Sequence, residues 1–284
     1  MVTTKRRSPL ISAAELDIVT ATQLIVLIDA RAGADAKKRY NEAHLENAIY
    51  VDLEKDLSTP VTDASNGGRH PLPPVNDFAV LLGKLGIDPT THVVVYDDKS
   101  GANAASRFWW MLKALGHQNV QVLDGGLAAA LKQGLKTTSL TVDPVAGPAY
   151  PASKWNLSTV DINKVEEVVT HSGWMVIDVR EAYRYRGESE PIDLTAGHIP
   201  GAVNIPYPEN LDKEGNFLSP AELADKYKSA IGDRATNHVI VHCGSGVTAC
   251  HTLLAMEQAG IEGAQLYVGS WSEWSRTERP IATE

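Results

Sequence analysis

The apolar positions of this chain fall into short runs that recur twice in the same order. "LIVLIDAR" (24–31) and "MVIDVR" (175–180) each end in Asp-x-Arg, and "HVVVYD" (92–97) is matched by "HVIVHC" (238–243). Runs that are short, β-branched and apolar at consecutive positions predict parallel strands buried on both faces. "AHLENAIYVDL" pairs in the same way with "GHIPGAVNIPY", and "NVQVLDGGL" (119–127) with "GAQLYVGSW" (263–271). Between the strands lie helical stretches, "NDFAVLLGKLG", "AASRFWWMLKALG" and "ACHTLLAMEQAG", the last two ending at a glycine suited to a helix C′ position.

The spacing of the two copies is nearly constant. Asp29 and Asp178 are 149 residues apart, Asp97 and Cys243 are 146 apart, and Gly125 and Gly269 are 144 apart. Alternating strands and helices, doubled, predict two tandem α/β domains, each a mainly parallel sheet flanked by helices. The expected boundaries are residues 1–140 and 154–284, joined by a linker at 141–153 whose "TVDPVAGPAYPAS" has three prolines and no periodic pattern.

Composition narrows the functions open to such a chain. A net charge of -9 with no concentrated basic run argues against nucleic acid as a partner. The basic start is interrupted by Pro9, Glu15 and Asp17, which reads as a solvated terminus, and no run approaches the roughly 20 apolar residues of a membrane span. Two cysteines seven positions apart cannot build a disulfide framework, so a reducing, cytoplasmic compartment is expected.

One of those cysteines is placed for chemistry. In "VIVHCGSGVTACHTLLAMEQAG" (239–260), Cys243 ends an apolar strand, and the segment Gly244, Ser245, Gly246, Val247, Thr248 must turn the chain tightly into a helix. Ligands of open α/β sheets sit beyond the carboxyl ends of the strands. Glycines at 244 and 246 permit positive φ, and successive N–H groups in such a turn, with the helix N-terminus, stabilise a thiolate. Three readings compete: a structural buried cysteine, a phosphate-binding loop and a nucleophile. The phosphate loop fails because "GxxxxGK[ST]" is absent. Cysteine phosphatases use a comparable cradle with an arginine six positions after the nucleophile; here that position is Ala249, and no arginine lies between 243 and 275.

"CGSGVTAC", with "GHIPGAVNIP", "LDGGL" and "GSWSEW", resembles the tandem rhodanese-type sulfurtransferases, the thiosulfate and 3-mercaptopyruvate sulfurtransferases, over nearly the whole chain. The resemblance implies that Cys243 takes a sulfane sulfur from a small donor, holds it as a persulfide and passes it to a thiol, a thioredoxin-like protein or cyanide, with no metal or cofactor. It also implies that only the C-terminal copy is catalytic. Asp97 stands at the matching place in the other copy and cannot accept sulfur.

Arg184 matches the family's anion-binding arginine, and Arg186 is a candidate helper. The second arginine of a "PEPR"-like stretch, usual in mercaptopyruvate enzymes, is missing from "GESEPIDLTAGH". Gly244 and Ser245, however, follow the mercaptopyruvate pattern, as do His70 and Glu54, which align with a relay to the loop serine. These signals divide, and thiosulfate is expected to be slightly favoured because "RYRGESEPIDLTAGHIPGA" resembles bacterial enzymes assigned to it. A tandem scaffold or sulfur-binding module without turnover is the non-enzymatic alternative. Cys250 is expected within helix packing. Trp109, Trp110, Trp271 and Trp274 are expected in the core or between the domains, and His242 and His251 lack metal-ligand company.

Overall fold

The structure, a computed structural model, describes residues 7–284. Most of the basic start read as a solvated terminus lies outside them; Arg7 itself donates to Asn119 Oδ1 at 2.7 Å.

The first copy contributes β1 (Leu10–Ile11), β2 (Ile25–Asp29), β3 (His44–Leu45), β4 (Ala48–Tyr50), β5 (His92–Tyr96), β6 (Val120–Leu123) and β7 (Thr137–Thr138). The second contributes β8 (Thr159–Val160), β9 (Met175–Asp178), β10 (Val203–Asn204), β11 (Val239–His242) and β12 (Gln265–Tyr267). One parallel sheet runs β1-β6-β5-β2-β4 and the other β8-β12-β11-β9-β10, which is the same order in equivalent strands. The pair β3-β7 is antiparallel and separate. Residues 141–153 form no helix or strand, yet they do not simply run over the surface. Tyr150 is buried, its N–H donates to Ala79 O at 2.9 Å, and its hydroxyl lies 3.0 Å from His117 Nδ1.

The Asp-x-Arg that ends β2 and β9 is a structural device. Arg31 and Arg180 each turn back onto the aspartate two residues earlier, Nη2 to Oδ2 at 2.8 and 2.6 Å, and each reaches a backbone carbonyl, Ala43 O or Gly197 O. These carboxylates are fully buried, so a paired and hydrogen-bonded guanidinium is what makes their position tolerable.

β5 and β11 are buried on both faces, as consecutive apolar residues require. Val93 and Val95, with Val239 and Val241, belong to one hydrophobic core that includes both copies, whereas Val94 and Ile240 face separate outer clusters. Helix Ala105–Ala114 packs on its counterpart Ala249–Gln258 within that shared core. Fully burying each large apolar side chain contributes ~1.5–3 kcal/mol. Domains joined through such an apolar interface hold a fixed relation rather than moving freely. The cleft between the copies is therefore a place where residues of both can be held in register.

Candidate active site

Cys243 sits immediately after β11, a central strand, and is 2% exposed. The backbone on both sides of it is clamped by "GSWSEW": Cys243 N–H donates to Ser270 Oγ (3.2 Å), Trp271 N–H to Cys243 O (3.0 Å) and Ser272 N–H to Gly244 O (2.8 Å). Gly246 has φ +73°, and a Cβ there would stand 2.5 Å from Val268 O, so glycine is required. Gly244 departs from expectation. Its φ is not positive, and its missing Cβ instead leaves open a point 3.5 Å from Arg184 Nη2 and 3.6 Å from Arg69 Nη2.

The equivalent loop of the first copy shows what this geometry binds. Asp97, directly after β5, is wholly buried, and its carboxylate accepts the N–H groups of Lys99 (2.8 Å), Gly101 (2.8 Å), Asn103 (3.0 Å) and Ala105 (3.2 Å). Burial pushes its pKa up to about 6, against the amides that favour the ionised form. The strand-loop-helix of the first copy is thus an anion nest, filled by its own carboxylate.

Ser245, His70 and Glu54 form a continuous chain. Ser245 Oγ is 2.7 Å from His70 Nδ1, and His70 Nε2 is 3.0 Å from Glu54 Oε1. With Nε2–H donating to the carboxylate, Nδ1 is the free acceptor for the serine hydroxyl. Burial lowers the His70 pKa although Glu54 opposes it, which keeps the ring neutral near pH 7. His70 reaches the second copy because its segment docks there: Gly67 N–H donates to Glu273 Oε1 (2.9 Å) and Arg69 N–H to Ser272 Oγ (3.0 Å). Gly68, at φ +78°, lies so close that a Cβ would be 2.3 Å from Gly269 O.

Arg184 is mostly buried and faces a small cavity of about 200 Å³ that also exposes Cys243, Gly244 and Thr248. Its guanidinium is gripped by Glu190, Nη2 to Oε1 at 2.7 Å and Nε to Oε2 at 3.0 Å. A larger cavity of about 1010 Å³ is lined by Ser245, His70, Glu54 and Arg69, and the two share Asn103 and Ile192 as walls. Arg186 is not brought to either cavity. Its side chain is 42% exposed and pairs with Glu188 at 2.7 Å, because the short helix Ala182–Tyr185 aims residue 184 inward and residue 186 outward.

A model of the rhodanese-like domain matches the chain twice, at residues 12–133 and 161–277. The chain belongs to the tandem rhodanese-like sulfurtransferase family. It is 40% identical to a probable 3-mercaptopyruvate sulfurtransferase of Pseudomonas aeruginosa, covering 95% of this chain and 93% of that one. It is 35% identical to a putative thiosulfate sulfurtransferase of Mycobacterium tuberculosis, with 97% of each covered. The crystal structure of an Escherichia coli protein, titled for the rhodanese fold and mechanism of 3-mercaptopyruvate sulfotransferases, superposes with a TM-score of 0.77 at 31% identity, over 94% of this chain and all of that one.

In this sulfurtransferase several groups at the cleft were not legible as site residues. Arg107, wholly buried on the first copy's helix, donates to Gly246 O and to His70 O, both at 3.0 Å, so one guanidinium ties the cysteine loop to the histidine segment. The signal was an arginine beside the apolar run 108–112 of its helix. Arg69 precedes His70, and Glu190 and Asp193 sit in the loop noted only for lacking an arginine. Cys250 lies in helix Ala249–Gln258, its thiol donating to Gly246 O at 3.4 Å, and burial pushes its pKa up to about 12. Trp109 and Trp110 are buried in the core shared by both copies, and Trp271 and Trp274 in the second copy's outer core.

Proposed function

We propose that this protein moves a sulfane sulfur from thiosulfate or 3-mercaptopyruvate, through a persulfide on Cys243, to a thiol or cyanide, with the second copy catalytic and the first not. The observation that carries the reading is the smaller cavity, whose wall Cys243, Gly244 and Arg184 share. The cysteine sulfur attacks the outer sulfur of the donor, whose bond to the remainder breaks with its electron pair. Sulfite or enolpyruvate leaves, and Arg184 holds the anionic end. The acceptor then attacks the persulfide and restores the thiolate.

Each donor has a feature that favours it. For 3-mercaptopyruvate, the Glu54–His70–Ser245 chain supports proton handling as pyruvate is released, with His70 as acceptor from Ser245. For thiosulfate, two guanidinium groups rather than one face Gly244, which suits a dianion. Both donors are therefore expected to react. A cytoplasmic enzyme with a low-molecular-weight thiol or a thioredoxin-like protein as acceptor fits the cysteine usage. Among the described residues, no helix is long and apolar enough to cross a membrane.

The test is the intact mass of the protein after incubation with each donor. One added sulfur atom, absent from Cys243→Ser and removed by cyanide, is the expected result. No added sulfur with either donor refutes the reading and favours the scaffold.

A further inference from the structure

Asp193 meets guanidinium groups from both copies near Gly244, the residue that follows Cys243. Its Oδ1 pairs with Arg69 and with Arg276, the latter at 3.0 Å, while Oδ2 is 3.7 Å from Arg184 Nη2 and has no hydrogen-bond partner. The residue is 8% exposed. A Cβ built on Gly244 would meet Arg184 Nη2 at 3.5 Å, Arg69 Nη2 at 3.6 Å and Asp193 Oδ2 at 3.8 Å. Two guanidinium donors and one buried, unpartnered carboxylate oxygen thus point at the same spot, over the residue that follows the cysteine. An ionised oxygen without a hydrogen bond is a costly arrangement.

We infer that Asp193 is a resident counter-anion of the donor site, a specificity-determining residue whose carboxylate must give up the guanidinium groups of Arg69 and Arg184 before a donor anion can take them. This rests on the reading of the cleft as the sulfur-donor site. The loop is built for such an exchange. Glu190 accepts the N–H groups of Ile192 (3.0 Å) and Asp193 (3.1 Å) and holds Arg184 independently, so that guanidinium stays in place when the Asp193 side chain withdraws, while Arg69 is tied at its backbone to Ser272 Oγ. The flanking Ile192 and Leu194 are 58% and 76% exposed and anchor nothing in the core. Keeping a monoanion in the cradle balances the guanidinium groups when the site is empty. It also favours ligands that engage both guanidinium groups better than the single Asp193 carboxylate does. Asp193 touches no reacting atom, and its effect belongs in the affinity for the donor and not in the chemical step.

The test uses sulfate as a non-transferable anion, with binding to the full chain followed calorimetrically and thiosulfate kinetics run in parallel. Asp193→Asn is expected to bind sulfate about tenfold more tightly than wild type, equivalent to about 1.4 kcal/mol, and to lower KM for thiosulfate by a similar factor with kcat little changed. Asp193→Ser should do the same, so the conclusion does not depend on one variant folding, and Asp193→Glu, which keeps a carboxylate, should stay near wild type. Equal or weaker sulfate binding by the neutral variants overturns the inference and makes Asp193 a structural tie. The intact-mass assay is separate: sulfur uptake by wild type without tighter sulfate binding by the variants leaves the enzyme reading standing, whereas no uptake removes that reading whatever sulfate does.

Discussion

Removing the Ser245 hydroxyl should slow one donor and spare the other, by an amount that depends on how much of the relay is shielded. Ser245 is 6% exposed, and the side chain of His70 is 13% exposed. A proton transfer arranged between such groups contributes typically 10²–10⁴-fold. The Glu54 side chain is 68% exposed, and an ion pair open to water is worth only ~0–1 kcal/mol. The expected series for 3-mercaptopyruvate is therefore graded: Ser245→Ala and His70→Ala lower kcat/KM by roughly a hundredfold, and Glu54→Gln by no more than about fivefold. Thiosulfate needs no proton from the relay as sulfite leaves, so its kcat/KM should stay within about threefold. His70→Ala leaves the backbone carbonyl that accepts from Arg107 untouched, so the cysteine loop keeps that tie.

The pH profile supplies an independent sign. His70 accepts from Ser245 only when neutral, and its pKa is lowered from 6.5, so the mercaptopyruvate rate should fall on the acid side below that value and His70→Ala should lose that limb. Steady-state kinetics with both donors decide the matter. Intact mercaptopyruvate turnover in Ser245→Ala and His70→Ala, or equal loss with both donors, would show that the three residues brace the loop and move no proton.

Three further outcomes are expected. Cys243→Ser should abolish sulfur uptake while Cys250→Ser keeps most of it, since the second thiol is wholly buried with its pKa pushed up to about 12; equal loss in both, by intact mass, would indicate a two-cysteine cycle. Arg184→Ala should lower kcat/KM for either donor by roughly ten- to a hundredfold, the effect of one charge-assisted contact, and a change for only one donor would deny it a common role. Stability should fall on acidification: burial lowers the His251 pKa to about 3 from 6.5, so the neutral form's advantage is present above 6.5 and is lost as pH falls, costing about 2 kcal/mol at pH 5. Denaturant unfolding at pH 7.5 and 5.0 should show a smaller drop for His251→Gln, and equal drops would place the effect elsewhere.

The fold was legible because the copies repeat a signal set by burial. β5 and β11 are apolar at every interior position since both faces are covered, and three landmarks held their spacing through the loops. Cys243 was legible for the same reason, as a polarisable side chain at the end of a buried strand before a glycine turn. The arginines were less so. Arg184 and Arg186 look alike in "RYRG", and only the direction of a short helix separates the one facing the cavity from the one paired with Glu188. Arg69, Arg107 and Asp193 act across the boundary between copies, and no periodicity within either copy encodes which loop will meet which.

That boundary also explains why a copy whose loop begins with aspartate still lines the candidate site. Asp97 fills its own nest, which is incompatible with a donor anion binding there. The same copy nevertheless supplies Glu54 and His70 to Ser245, Arg69 to the point above Gly244, and Arg107 to Gly246 O. A single C-terminal copy would retain Cys243, Ser245, Arg184 and the "GSWSEW" clamp but would expose the apolar face of helix Ala249–Gln258 and lose the guanidinium groups of Arg69 and Arg107 together with His70 and Glu54. The doubled chain thus divides the work. One loop keeps a thiol where its sister keeps a carboxylate, and side chains from the sister copy line the cleft beside that thiol's loop.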